Sequence, residues 1–124
     1  MTTPASLTET TLTLLQELIQ LSCVNDLTPD SGQEHKAADA LERFFADAPN
    51  VRVERFESHP GRTSIAFTLE GSDPNAEPLT LLGHTDVVPV DAAKWTKDPF
   101  GAQLIDGRVY GRGATDMLLS LIHI

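Results

Sequence analysis

The sequence predicts an α/β fold, the N-terminal part of a layered mixed β-sheet with flanking helices. Two amphipathic segments with helix-capping signals come first, and several short apolar runs bounded by turn residues follow them. A further helix is expected after Asp116, and helices and strands in this order favour a layered sheet. Ligands of such sheets bind at the carboxyl ends of the strands, so polar residues there are the first candidates for a site.

The first two segments are predicted to be helices. Ser6 and Glu9 have the spacing of a capping box, and the apolar residues after them fall on one face, so we expect a helix from about Leu7 to Leu21. Ser31 and Glu34 repeat the capping-box spacing before a second apolar stripe. The stripe consists of Ala37, Leu41, Phe44, Phe45 and Ala48 and ends at Pro49.

Three strands are predicted next. Val51–Phe56 and Arg62–Leu69 are rich in strand-forming residues, and the second alternates apolar with small or polar positions. Leu79–Gly83 is a short apolar run behind a turn-prone segment, which favours a buried strand. Further along, Asp106-Gly107 stands between two apolar pairs at positions 104–105 and 109–110, a strong signal for a β-hairpin.

Polar side chains follow two of these runs. His84 and Asp86 come directly after the run that ends at Gly83, and residues two apart in an extended chain project to the same side. A metal-ligating imidazole needs an acceptor for its second ring nitrogen, and Asp86 is suited to that task. The predicted hairpin leads to Gly111-Arg112-Gly113 and then to Asp116, a second acidic candidate. The pattern therefore indicates half of a metal site.

Each of these residues also has a simpler explanation. A histidine at a strand end commonly hydrogen-bonds a nearby aspartate, and an aspartate before a helix is a favourable N-cap. Arg112 suits either a substrate carboxylate or an internal ion pair, so it stays outside the predicted site. His35 and His59 are expected on a solvated helix face and in a loop.

Three linked motifs in one order resemble the signature of peptidase family M20. They are Gly-His-Thr-Asp-Val-Val-Pro at 83–89, a tryptophan followed by Asp-Pro-Phe at 95–100, and Asp-Gly-Arg-Val-Tyr-Gly-Arg-Gly-Ala-Thr-Asp-Met at 106–117. The family includes aminoacylases, carnosinase-like dipeptidases, glutamate carboxypeptidase and succinyl-diaminopimelate desuccinylase. The resemblance covers residues 79–117 closely and implies a zinc exopeptidase-like catalytic domain.

The resemblance also implies roles for individual residues. In the family, the residue that matches His84 binds one zinc ion, and the residue that matches Asp86 is a catalytic-site residue that orients this histidine. The residue that matches Asp116 bridges two zinc ions. Cobalt or manganese are alternative metals. The implied activity is hydrolysis of a peptide bond or an N-acyl amide bond in a small peptide or N-acyl amino acid, and many members form homodimers through a lid domain. The family's general base lies downstream of the bridging aspartate, so the 124-residue chain by itself is expected to be inactive.

Two alternatives remain open from the sequence. Gly111-Arg112-Gly113 after a strand and before a helix suits a nucleotide-binding or anion-binding module. The third glycine of the dinucleotide fingerprint is not at its expected position, and Asp116 would repel a phosphate. A non-catalytic relative with the same fold is the other alternative.

Composition limits the cellular setting and the partners. A formal net charge of -9 and a pI near 4.6 argue against nucleic acids and anionic membranes as partners. Cys23 is the only cysteine, which excludes an internal disulfide, and it is expected to be a buried thiol. The start of the chain shows no secretory signal pattern, so we expect a cytoplasmic protein.

The end of the chain is expected to have a different origin from the rest. Residues 1–118 are predicted to be the N-terminal part of a metallohydrolase catalytic domain. Leu119–Ile124 resembles the translation of an adaptor used in preparing sequencing libraries, so these residues are expected to be non-native. His123 is for that reason not a predicted ligand.

Overall fold

The computed structural model describes residues 6–123 of the chain, and it confirms the predicted α/β class. Helices and small antiparallel sheets share this part of the chain, with β1 paired to β2 and β3 paired to β4. The helices are α1 (Leu7–Gln20), α2 (His35–Phe44) and α3 (Leu118–His123), and the strands are β1 (Val51–His59), β2 (Arg62–Leu69), β3 (Gln103–Ile105) and β4 (Arg108–Tyr110).

Helix α1 begins with the predicted capping box and forms one side of the core. The Ser6 backbone N–H donates to the Glu9 carboxylate at 2.8 Å, and the Glu9 N–H donates to Ser6 Oγ at 3.2 Å. These two bonds satisfy N–H groups that have no partner inside the helix. The apolar face of α1 is buried, as predicted, and its buried residues are Leu14, Leu15, Leu18 and Ile19.

The predicted capping box of α2 is wrong. Ser31 Oγ is used inside its own loop, where it donates to the Thr28 carbonyl at 2.8 Å and accepts from the Asp26 N–H at 3.1 Å. The Glu34 carboxylate instead accepts from Arg62 Nε at 2.9 and 2.7 Å. A half-buried guanidinium is a stronger partner for a buried carboxylate than a backbone amide, so this tertiary pair replaces the local cap.

Helix α2 also ends earlier than its apolar stripe predicts. It stops at Phe44, and the chain then passes through turns in which Ala48 N–H donates to the Phe45 carbonyl at 3.0 Å. Phe45 leaves the helix to pack on Phe67 of β2, with the ring centroids 4.7 Å apart. The aromatic contact between α2 and the sheet therefore uses the residue just beyond the helix.

The two predicted strands β1 and β2 form and pair as one hairpin, and the predicted hairpin at Asp106-Gly107 forms as a second. β1 and β2 pair from Val51 opposite Leu69 onwards, and β1 runs three residues beyond the predicted Phe56, to His59. In the second hairpin Asp106 and Gly107 have φ values of 49° and 75°, the left-handed pair that a tight two-residue turn requires.

The predicted buried strand Leu79–Gly83 is wrong. The segment belongs to no strand, and Leu79, Leu81 and Leu82 are 83%, 54% and 86% exposed. A strand needs a neighbour that pairs with its backbone, and within residues 6–123 no segment pairs with these leucines. Pairing begins only at Val87, which forms an isolated parallel bridge with Val24.

Two glycines bring the loop before α3 close to the core. A Cβ at Gly111 would lie 2.6 Å from Cγ2 of Ile19, and a Cβ at Gly113, whose φ is +85°, would lie 2.6 Å from Cγ1 of Val87. Leu118, the first residue of α3, is 1% exposed. The loop that carries Asp116 is thus held against α1 and against the segment that carries Asp86.

Helix α3 covers most of the suspected non-native tail. Leu119, Leu121 and Ile122 pack against the core, and Ile124 lies outside the described residues. The foreign origin of residues 119–124 stays a prediction. None of the helices in the described range has the length and apolarity needed to cross a membrane.

Substituting alanine for Gly113 and, separately, for Gly107 tests the close approach. Both residues have positive φ, at +85° and +75°, but no atom lies within 4 Å of a Cβ at Gly107. Gly107→Ala should lower the free energy of unfolding by the backbone strain alone, about 1 kcal/mol. Gly113→Ala should lower it by about 2–4 kcal/mol, because the overlap with Val87 adds to that strain. Urea titration monitored by circular dichroism measures both free energies of unfolding, and equal losses in the two variants would contradict the proposed contact.

Candidate metal centre

The structure brings the three predicted site residues into one row. His84 Nδ1 lies 3.0 Å from the Asp86 backbone carbonyl and 3.1 Å from the Asp86 carboxylate oxygen Oδ1. On the opposite side of the ring, Nε2 lies 3.4 Å from Asp116 Oδ1. The imidazole of His84 therefore lies between the carboxylates of Asp86 and Asp116, and the role of the three residues in binding metal stays a prediction.

The contacts at Nδ1 assign the tautomer of His84. Both neighbours of this nitrogen are oxygen acceptors, so in the neutral ring Nδ1 carries the hydrogen and Nε2 carries the lone pair. The lone pair then faces a carboxylate oxygen of Asp116. Two electron-rich atoms at that distance repel each other unless a positive charge stands between them. The arrangement suits a proton or a metal ion.

The electrostatics of the site agree with that description. Partial burial is the largest single effect on the pKa of His84 and lowers it. The carbonyl and charge of Asp86, together with the hydrogen bond and charge of Asp116, act in the other direction and prevail. The pKa of His84 is thus raised above its ordinary value, because the site stabilises positive charge on the ring.

The Val24–Val87 bridge fixes the position of Asp86. The Val87 N–H donates to the Cys23 carbonyl at 2.9 Å, and the Asn25 N–H donates to the Val87 carbonyl at 2.8 Å. Val87 is 6% exposed, so its side chain anchors the same segment in the core. Asp86 is the residue just before this anchor, and its side chain is half-buried.

Asn25 is a site residue that the sequence reasoning missed. Its Nδ2 donates to Asp86 Oδ2 at 2.7 Å, on the carboxylate oxygen that does not face the imidazole. Asn25 follows α1 in a loop with several turn residues, where an asparagine is ordinary. No local pattern connects it with a residue so far along the chain, and only the bridge reveals the contact.

Asp116 approaches the site from the turn before α3. Its side chain is 89% exposed, and its position is set by neighbours: Leu118 is buried, and the Leu118 N–H donates to the Gly113 carbonyl at 3.0 Å. Within the described residues, no backbone N–H donates to the Asp116 carboxylate, so the simpler explanation as an N-cap receives no support there.

The donor set is chemically suitable for zinc but small. Imidazole nitrogen and carboxylate oxygen are both ordinary zinc donors, and Nε2 of His84 and Oδ1 of Asp116 lie side by side. Within residues 6–123, no group of three or more His, Cys, Asp or Glu side chains is arranged to hold one ion. Asp86 lies behind the ring as a partner of Nδ1, which leaves two donors facing the site.

Arg112 forms no ion pair with another residue in the range 6–123, and its contact with a substrate carboxylate stays a prediction. Its guanidinium carbon lies 5.2 Å from the centroid of the Trp95 ring, the geometry of a cation–π contact. Its backbone N–H donates to the Pro99 carbonyl at 2.7 Å. Arg112 thus joins the loop after the 3-10 turn Ala92–Lys94 to the segment that leads to Asp116.

The other histidines have separate environments. His59 Nε2 lies 3.3 Å from Asp30 Oδ1, a single exposed His–Asp pair. His35 was expected on a solvated face, which is wrong for its Nδ1, because this atom is buried without a hydrogen-bond partner among the described residues.

The comparisons with known proteins agree with the motifs. Residues 80–124 match the family model described as Peptidase family M20/M25/M40, a range that contains His84, Asp86 and Asp116. This match and the relatives described next confirm the resemblance to this family that was predicted from the sequence.

Three curated relatives show the range of proteins to which the chain is similar. A succinyl-diaminopimelate desuccinylase of Cereibacter sphaeroides is 72% identical over 94 residues, which is 73% of this chain and 23% of the relative. The Ruegeria pomeroyi protein of the same name is 43% identical over 100 residues, 78% of this chain and 24% of the relative. An N-fatty-acyl-amino acid synthase/hydrolase of Danio rerio is 48% identical over 85 residues, 68% of this chain and 16% of the relative. The chain spans about a quarter or less of the length of these curated relatives.

The burial of Cys23 predicts an unreactive thiol. The residue is 2% exposed, and burial raises the pKa of its thiol, so little thiolate forms near neutral pH. Iodoacetamide should therefore alkylate the folded chain at least about tenfold more slowly than the urea-unfolded chain at the same pH. Mass spectrometry at timed intervals measures both rates. Equal rates would contradict the burial of Cys23.

Proposed function

We propose that this chain supplies part of the metal centre of a zinc-dependent hydrolase that cleaves peptide or N-acyl amide bonds in small substrates. The observation that carries the proposal is the 3.4 Å distance between His84 Nε2 and Asp116 Oδ1. These two residues come from separate motifs of the sequence, and their Nε2 and Oδ1 atoms lie next to each other in the tertiary structure.

Each residue has a distinct task in this proposal. His84 would hold a zinc ion through the Nε2 lone pair, and Asp86 would keep the hydrogen on Nδ1 by accepting a hydrogen bond from it, which would also make the imidazole a better donor. Asp116 would hold zinc as well, and the resemblance implies that two ions would share its carboxylate. When bound, zinc would acidify a water molecule and polarise the substrate carbonyl.

The substrate class follows from the relatives' names. Two relatives are named as desuccinylases and a third as an N-fatty-acyl-amino acid synthase/hydrolase. The shared chemistry is an acyl group joined to the nitrogen of an amino acid. We infer that the whole protein acts on an N-acyl amino acid, in the cytoplasm, with a lid domain that mediates dimerisation as the resemblance implies.

The anion-binding alternative has less support than it had from the sequence. Gly111 and Gly113 allow close contacts with Ile19 and Val87, which explains both glycines without a phosphate. Asp116 stands next to this loop and would oppose an anion. A non-catalytic relative would share the zinc site and differ only in turnover.

Zinc titration tests the proposed ligands. Adding Zn²⁺ to the ¹⁵N-labelled chain should shift the ring signals of His84, and His84→Ala should abolish this binding. Asp116→Asn should weaken it at least about tenfold, since a lost ligand costs no less than a lost outer-shell partner. His59→Ala is the matched control, because His59 also lies beside one carboxylate, that of Asp30. Equal losses in the two histidine variants would contradict the assignment.

A turnover assay tests the proposal that the 124-residue chain carries only part of the active site. Two donors are too few for a tetrahedral zinc ion, and the resemblance places the general base beyond Asp116. We expect weak zinc binding and no hydrolysis of N-succinyl or N-acetyl amino acids by the 124-residue chain, even with excess zinc. Zinc-dependent release of free amine, detected with a fluorogenic amine reagent, would show that these residues suffice and would contradict this division.

A further inference from the structure

Asn25 makes a directed contact with the back of the candidate metal centre. Its Nδ2 lies 2.7 Å from Asp86 Oδ2, the shortest of the polar contacts that link Asp86 to its neighbours. The other oxygen of the same carboxylate lies 3.1 Å from His84 Nδ1. Asn25 is therefore the next group behind Asp86 in a row that ends at the metal-facing nitrogen of His84.

The orientation of the Asn25 amide is set by its own loop. Oδ1 accepts from the Leu27 backbone N–H at 2.9 Å, the hydrogen bond of an Asx turn. Because the carbonyl oxygen of the side chain is used there, the NH₂ group must point the other way, towards Asp86. The backbone of Asn25 is also fixed, since its N–H donates to the Val87 carbonyl at 2.8 Å.

This contact constrains the rotation of the Asp86 carboxylate. With Oδ2 held by Asn25, Oδ1 is held towards the ring of His84. A carboxylate free to rotate would share its oxygens between the ring and solvent, and it would define the tautomer less strongly. The amide carries no charge, so it orients Asp86 without neutralising it.

We propose that Asn25 is a positioning residue for the metal centre: it holds the Asp86 carboxylate so that His84 keeps its hydrogen on Nδ1 and presents Nε2 to the ion. The inference rests on the proposed function for its purpose, but the effect on the ring is a property of the chain itself. It assigns a role in the site to the loop that follows α1.

The simpler explanation is that Asn25 only stabilises its loop. Thr28 offers a matched control, because Thr28 Oγ1 donates to Asp26 Oδ1 at 2.6 Å within the same loop and does not contact Asp86. Thr28→Val removes that loop hydrogen bond at nearly constant shape and charge. A purely structural loop role predicts similar effects of Thr28→Val and Asn25→Ala on the site.

The test reads the tautomer of His84 by long-range ¹H–¹⁵N NMR of the 124-residue chain, at a pH where the ring is neutral. We expect the Nδ1–H form to dominate in the parent chain and in Thr28→Val, and to be measurably less populated in Asn25→Ala, where the Asp86 backbone carbonyl is the remaining fixed acceptor at Nδ1. Asn25→Ser is a second variant, because a serine hydroxyl can still accept from the Leu27 N–H but is too short to reach Asp86. The Val87 amide signal reports whether the bridge survives in each variant.

Zinc affinity of the same variants, measured with Zn²⁺ alone, is the second readout. Loss of Asn25 should weaken zinc binding about tenfold or more, as for other outer-shell partners, while Thr28→Val should not. An unchanged tautomer in Asn25→Ser with an intact bridge would overturn the inference, and so would equal effects of Thr28→Val. If zinc fails to bind the parent chain at His84, the proposed function fails, and the tautomer comparison still decides whether Asn25 positions Asp86.

Discussion

The parallel bridge between Val24 and Val87 is the constraint on which the candidate site depends. Two backbone hydrogen bonds, at 2.9 and 2.8 Å, join a segment that follows α1 to a segment that otherwise pairs with nothing in the described part of the chain. Each such bond contributes only about 0.5–1.5 kcal/mol, but the buried Val87 side chain adds its own transfer free energy. Asp86 and Asn25 are the residues next to the bridge on its two sides, so the same contact places both.

The second half of the site is held by packing together with the hydrogen bond from the Leu118 N–H to the Gly113 carbonyl. Asp116 is exposed, yet the turn that carries it is fixed between Gly113, which lies against Val87, and Leu118, which is buried. The two halves of the site therefore share one anchor, because Val87 is both the partner of Val24 and the neighbour of Gly113. A change at Val87 would therefore displace both Asp86, which contacts the imidazole of His84, and the turn that carries Asp116.

Local patterns in the sequence predicted the elements whose causes are local. The capping box at Ser6 and the Asp106-Gly107 turn need only neighbours within four residues, and both form as predicted. The cap at Glu34 failed because Arg62 of strand β2 binds the Glu34 carboxylate, and the strand at 79–83 failed because apolar character does not supply a pairing partner. Of the site, the His84–Asp86 proximity follows from a spacing of two, whereas the Asn25 contact depends on the tertiary bridge alone.

The resulting geometry favours positive charge between His84 and Asp116. With the hydrogen of the neutral ring on Nδ1, the Nε2 lone pair and Asp116 Oδ1 face each other at 3.4 Å, an unfavourable contact that a proton on Nε2 or a metal ion turns into an attraction. The net charge of -9 cannot produce this by itself, since diffuse negative charge attracts cations without choosing a place for them. In the proposed centre the row Asn25, Asp86 and His84 would make this choice by setting the direction of one lone pair, and the Gly113 turn brings Asp116 next to it.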